Sequence, residues 1–139
     1  MSKTTFAVLA LGAVVAFAGP AFAEKMKATL DGKSEVPANT SAGKGTADID
    51  YDAATKKLSW KLTYSGLSGP ATAAHFHGPA EAGKNAGVAV AIPNATSSPA
   101  EGSATLTDAQ AADLTAGKYY INIHTAANPG GEIRGMVTK

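Results

Sequence analysis

Three histidines are the residues of this 139-residue chain best suited to chemistry: His75 and His77 in "ATAAHFHGPAEAG", and His124 in "YYINIHTAANPGGEIRG". On a β-strand, residues two apart share a face and lie about 6.5–7 Å apart. That spacing lets two imidazoles converge on one ion at about 2.0–2.1 Å per metal–nitrogen bond. Phe76, between them, is the only phenylalanine beyond the first 23 residues. It is the natural core residue of its segment, so His75 and His77 point the other way. In "YYINIHT" the apolar alternates are Ile121 and Ile123, which leaves Tyr120, Asn122 and His124 on the opposite face. "EIRGMV" alternates too, with Ile133 and Val137 inward and Glu132, Arg134 and Met136 outward. His124 is therefore expected to share its face with Glu132 and Arg134. One histidine on such a face is ordinarily a solvated side chain. Here all three follow the pattern, and histidine is a poor structural choice for a strand, which favours a metal site.

The donor chemistry narrows the ion. The chain has no cysteine, so ligands must be nitrogen, oxygen or thioether. Three neutral imidazoles suit zinc or copper, and the affinity order favours copper, with zinc the alternative. Around them, Glu132 can orient an imidazole or pair with Arg134, and Asn122 lies on the same face. Arg134 can draw an anion to an open metal position. Met136 can add a soft ligand, although packing is the plainer role for it. The chain has no G-x-S-x-G motif and no cysteine nucleophile, and no carboxylate pair whose spacing argues for hydrolysis. Binding is favoured over catalysis, and metal-based redox chemistry is the remaining enzymatic reading. Strand order decides whether His124 meets the other two within one chain or across a homodimer.

The elements that must position these residues read as short strands. "KMKATLD" alternates cleanly, and "TADIDY" and "KLSWKLTY" form a hairpin about Asp52 to Thr55, with Trp60 as a core anchor. "ATAAHFH", "GVAVAIP", "GSATLT", "KYYINIHT" and "EIRGMVTK" complete the set. "GPAEAGKNAG" reads as a turn-rich connection, or as a flap over the site. One helix is expected in "TDAQAADLTAG", with Thr107 and Gln110 as a capping box, Asp108 at the positive end and Gly117 as the left-handed stop. The fold class is all-β: a Greek-key-like antiparallel sandwich or barrel of about eight strands with one short helix.

Residues 1–23, "MSKTTFAVLALGAVVAFAGPAFA", read as a cleaved signal peptide, with a basic start, a short apolar run and an Ala-Phe-Ala end. The run is too short for a good membrane anchor. One domain, residues 24–139, is expected in the periplasm or secreted, without membrane insertion. Its fold must hold by burial alone, since no disulfide can form. Without Lys3 the 12 basic residues become 11, against 11 acidic ones. Such a neutral chain gives no reason to expect a nucleic-acid partner. A metal ion is the expected ligand, and no protein partner can be named.

"EVPANTSAGKGTADIDYD", "GLSGPATAAHFHGPAEAG", "LTDAQAADLTAGKYYINIHT" and "NPGGEIRGMV" resemble, in that order, the CHRD domain named after the repeats of chordin. The resemblance spans essentially all of residues 24–139 and implies an exported single-domain form. In chordin these domains belong to an extracellular protein that binds growth factors, so the resemblance also permits a non-metal interaction module. His-x-His, a later histidine and an arginine in a Gly-flanked last strand are also similar to copper–zinc superoxide dismutase, an eight-stranded Greek-key sandwich. This chain departs from it in having no cysteine pair and too few histidines for the full metal set.

Overall fold

A computed structural model describes residues 23–139; apart from Ala23, the proposed leader lies outside the described residues. Eight strands follow one another with a single helix: β1 (Glu24–Asp31), β2 (Lys44–Asp52), β3 (Lys57–Ser65), β4 (Ala71–His77), β5 (Val88–Ile92), β6 (Ala100–Thr105), α1 (Asp108–Thr115), β7 (Tyr120–Thr125) and β8 (Ile133–Met136). All pairings are antiparallel, in the order β5-β4-β7-β8-β1-β2-β3-β6. The two edge strands, β5 and β6, approach each other, so the sheet curls into a nearly closed barrel. With β6 beside β5 across that seam, β4 to β7 form a Greek key. The expected all-β architecture is what the chain adopts.

Period-two alternation builds the interior. Met26, Ala28 and Leu30 of β1, Ala47, Ile49 and Tyr51 of β2, and Leu58, Trp60 and Leu62 of β3 all face inward. Trp60 meets Phe76 edge-on, with ring centroids 5.2 Å apart, a favoured aromatic geometry. Helix α1 starts at the predicted capping box: Gln110 N–H donates to Thr107 Oγ1 at 3.1 Å, and Thr107 N–H donates to Gln110 Oε1 at 2.9 Å. It stops at Gly117, whose φ of +75° is the left-handed turn. Gly117 N–H donates to Leu114 O, and Lys118 N–H to Asp113 O, which closes the last turn.

Glu132 departs from the expected face. Gly131 has φ of +127°, a conformation that L side chains rarely adopt, and β8 begins only at Ile133. The alternation that would align Glu132 with His124 is broken there. The Glu132 carboxylate instead turns to Thr125, on the face of Ile121 and Ile123, and is fully buried. It accepts from Ser41 Oγ (2.8 Å), Ser68 N–H (2.9 Å), Ser68 Oγ, Thr125 Oγ1 (2.8 Å) and Asn128 Nδ2 (3.0 Å). Three connections, after β1, β3 and β7, are thus tied to one side chain.

Burial alone would raise the Glu132 carboxyl. The hydrogen bonds from Ser68, Thr125 and Ser41 together outweigh it and hold the group down at about 2. A folded value below the unfolded one gives stability that is complete above the unfolded value, about 4.5. That stability is lost as pH falls from there toward about 2, and integrates to about 3 kcal/mol. Denaturant unfolding between about pH 6 and pH 2 should show this acid loss in the wild type and a much flatter profile in Glu132→Gln. Parallel profiles would refute the assignment.

Candidate metal centre

The register brings the three histidines together on the outer face of the β4–β7 pair. His75 stands opposite Asn122, His77 opposite Tyr120, and His124 opposite Ala73. Phe76 occupies the core between the first two, as alternation requires. Ring centroids lie 5.5 Å apart for His75–His77, 5.0 Å for His75–His124 and 6.2 Å for His77–His124. One nitrogen from each ring falls within 4.8 Å of the others. His75 Nδ1 and His124 Nε2 are 3.1 Å apart. Two nitrogens on a common ion are separated by about 2.9–3.4 Å for bond angles between square and tetrahedral. That pair is already at ligand spacing, and the His77 nitrogen, within 4.8 Å of both, joins them by moving inward.

Backbone carbonyls fix the tautomers. His77 Nδ1–H donates to Ala86 O at 2.9 Å, and His124 Nδ1–H donates to Pro129 O at 2.8 Å. A neutral ring that spends its proton on Nδ1 presents its Nε2 lone pair, which is how metal-binding imidazoles are commonly oriented. Desolvation lowers His75 below the ordinary histidine value, with smaller contributions from His124 and His77. Desolvation also lowers His77; its hydrogen bonds to Ala86 and Asn122 oppose this, while His124 and Arg134 add to it. Neutral imidazole is the form that binds metal.

The surrounding polar residues form a buried bracket. The Arg134 guanidinium lies 4.0 Å over the Tyr120 ring, and Tyr120 stacks on His77 at 4.9 Å and 3°. Tyr120 shares the face of His124, as alternation requires, and has His77 as its neighbour directly across the strand pair. Arg134 does not pair with Glu132. Its Nε donates to Glu35 Oε2 at 3.0 Å, its Nη1 to Lys84 O at 3.1 Å and its Nη2 to Asn85 Oδ1 at 2.7 Å. With three of its five N–H groups committed and its side chain buried, it is not poised to receive an anion. Glu132, spent on its own cluster, orients no imidazole. Met136 stands opposite Tyr120, two strands from His77, outside the histidine cluster.

Residues 78–87 are held down at several points. Arg134 grips Lys84 and Asn85, the Tyr120 hydroxyl bonds Ala86, and Asn85 Nδ2 donates to Val36 O at 3.3 Å. The segment is an anchored cover rather than a loose flap. Sequence reasoning missed Glu35, which sits in a Gly/Pro-rich loop that reads as exposed. The usable signal was Arg134 itself, because a cation at the centre of a barrel strand requires a buried counter-charge.

The chain is thus an antiparallel β-barrel module whose three histidines lie close enough together to hold a metal ion. It belongs to the CHRD domain family, whose model matches residues 26–137. CHRD domains are extracellular-type modules. Among the described residues no helix is long and apolar enough to cross a membrane. No curated protein and no solved structure matches the chain.

Proposed function

We propose that this is an exported CHRD domain that binds one transition-metal ion, copper in preference to zinc, through His75, His77 and His124. Its role is binding, buffering or delivery outside the cytoplasm. The observation that carries the reading is the pairing of His75 Nδ1 with His124 Nε2 at 3.1 Å, beside a third imidazole whose tautomer a backbone carbonyl fixes. Uncharged nitrogen donors favour copper by the usual affinity order. The interaction-module reading has less support, because Tyr120, Asn122 and Arg134, which would have to meet a partner, are all buried.

The test is titration of the untagged chain starting at Glu24 with copper(II) and zinc(II), read by native mass spectrometry. One copper per chain is expected, with copper displacing zinc. Uptake no greater than that of a triple His→Ala variant would overturn the proposal.

A further inference from the structure

Asn122 is the polar residue at the floor of the histidine cluster, only 1% exposed. It stands opposite His75, two residues from His124, and its Oδ1 lies 2.8 Å from His77 Nε2. The orientation of its amide is dictated by what lies behind it. Nδ2 donates to Gly130 O at 3.3 Å. A Cβ built on Gly131 would fall 2.6 Å from that same Nδ2 and 2.5 Å from Glu35 Oε1, so only glycine lets these groups gather there. Glu35 Oε1 is buried with no hydrogen-bond partner of its own. A flipped amide would aim its oxygen at the Gly130 carbonyl and the Glu35 carboxylate, three acceptors together. Oδ1 therefore faces His77.

That orientation creates a conflict at His77. The ring has Ala86 O at 2.9 Å from Nδ1 and Asn122 Oδ1 at 2.8 Å from Nε2. Both neighbours only accept, whereas a neutral imidazole has a single N–H to give. Either tautomer leaves one lone pair pressed against another in a buried place. A second ring proton would relieve this only by adding a charge to a ring stacked on Tyr120, whose own ring already carries the Arg134 guanidinium at 4.0 Å. A metal cation relieves it directly, since the Nε2 and Oδ1 lone pairs then converge on the same positive centre. Two donors 2.8 Å apart on one ion subtend an angle near about 85° at ordinary bond lengths.

We infer that Asn122 Oδ1 is a fourth donor to the ion held by His75, His77 and His124, completing a three-nitrogen, one-oxygen set. The inference rests on the histidine site proposed above. An uncharged amide oxygen beneath three imidazoles leaves the set electrically neutral and fills the position nearest the sheet. Any exchangeable coordination position is then left on the solvent side.

Two measurements on the copper(II)-loaded protein test this. In the wild type, replacing natural-abundance asparagine with 15N-asparagine should alter the weakly coupled nitrogen signals in pulsed EPR. Among the asparagines Asn122 alone brings a side-chain atom within hydrogen-bond distance of a site histidine. In the isosteric Asn122→Leu variant, the strong coupling of three imidazole nitrogens should persist. Its copper affinity should fall about tenfold or more, and its copper hyperfine splitting should shift. Asparagine labelling without spectral effect in a wild type that binds copper normally overturns the fourth donor and leaves the histidine site standing. A wild type that takes up no copper overturns both. The labelling experiment does not depend on the variant folding.

Discussion

Replacing His75 or His124 by alanine is expected to weaken copper binding by at least about 100-fold while the barrel stays folded. The two residues supply the nitrogens already at ligand spacing, 3.1 Å apart, so each truncation removes a donor that needs no rearrangement to bind. Outer-shell partners of a metal ligand are commonly worth about 10–100-fold in affinity, and loss of a ligand should cost at least the upper end. Both rings are only half buried and lie on the outer face, so the core is undisturbed. His77 is a different case. It is 8% exposed, bonded to Ala86, 2.8 Å from Asn122 Oδ1 and stacked on Tyr120, so its truncation mixes lost ligation with lost packing. Competition titration against a chelator of known affinity, with circular dichroism as the folding control, checks the first pair. Unchanged affinity in both variants would sink the site.

The second large effect is on stability. Arg134→Met is expected to destabilise the domain by about 3–5 kcal/mol, the usual cost of removing one partner from a buried ion pair. The side chains of Arg134 and Glu35 are 5% and 2% exposed. Burial raises the Glu35 carboxyl above its ordinary value by more than the Arg134 charge lowers it. Without the guanidinium that carboxyl loses the largest offset to its desolvation. The same change frees Lys84 and Asn85 and removes the cation from the Tyr120 ring. For a domain of this size the midpoint should fall by about 10 °C or more. Glu35→Met combined with Arg134→Met should recover at least half of the loss, because no charge is then left buried. Single variants within about 1 kcal/mol of wild type in denaturant unfolding would contradict the assignment.

Much of the site was legible because period-two alternation is a local rule. Phe76 inward forces His75 and His77 outward, and Ile121 and Ile123 do the same for Asn122 and His124. Capping chemistry is equally local, so Thr107, Gln110 and Gly117 marked the helix. Other features depend on distance or on a break in phase. Glu35 and Arg134 are 99 residues apart, and nothing in the loop "GKSEVPANTSAGKG" announces that its carboxylate goes inside. Glu132 lies just before the start of β8, where the bend at Gly131 cancels the alternation, so extending the strand pattern across it assigned the wrong face. Strand order was a further gap. The pairing of β4 with β7 places His124 beside His75, and periodicity cannot state which strands are neighbours.

The central claim is that one ion is held by the three histidines of a single barrel. Continuous-wave EPR of the untagged wild type with one equivalent of copper(II) tests it most directly. The account predicts a single species whose hyperfine structure reports three imidazole nitrogens, and which disappears in His75→Ala and His124→Ala. Free-copper signal in the wild type, or a bound spectrum that survives the triple histidine substitution, would contradict it.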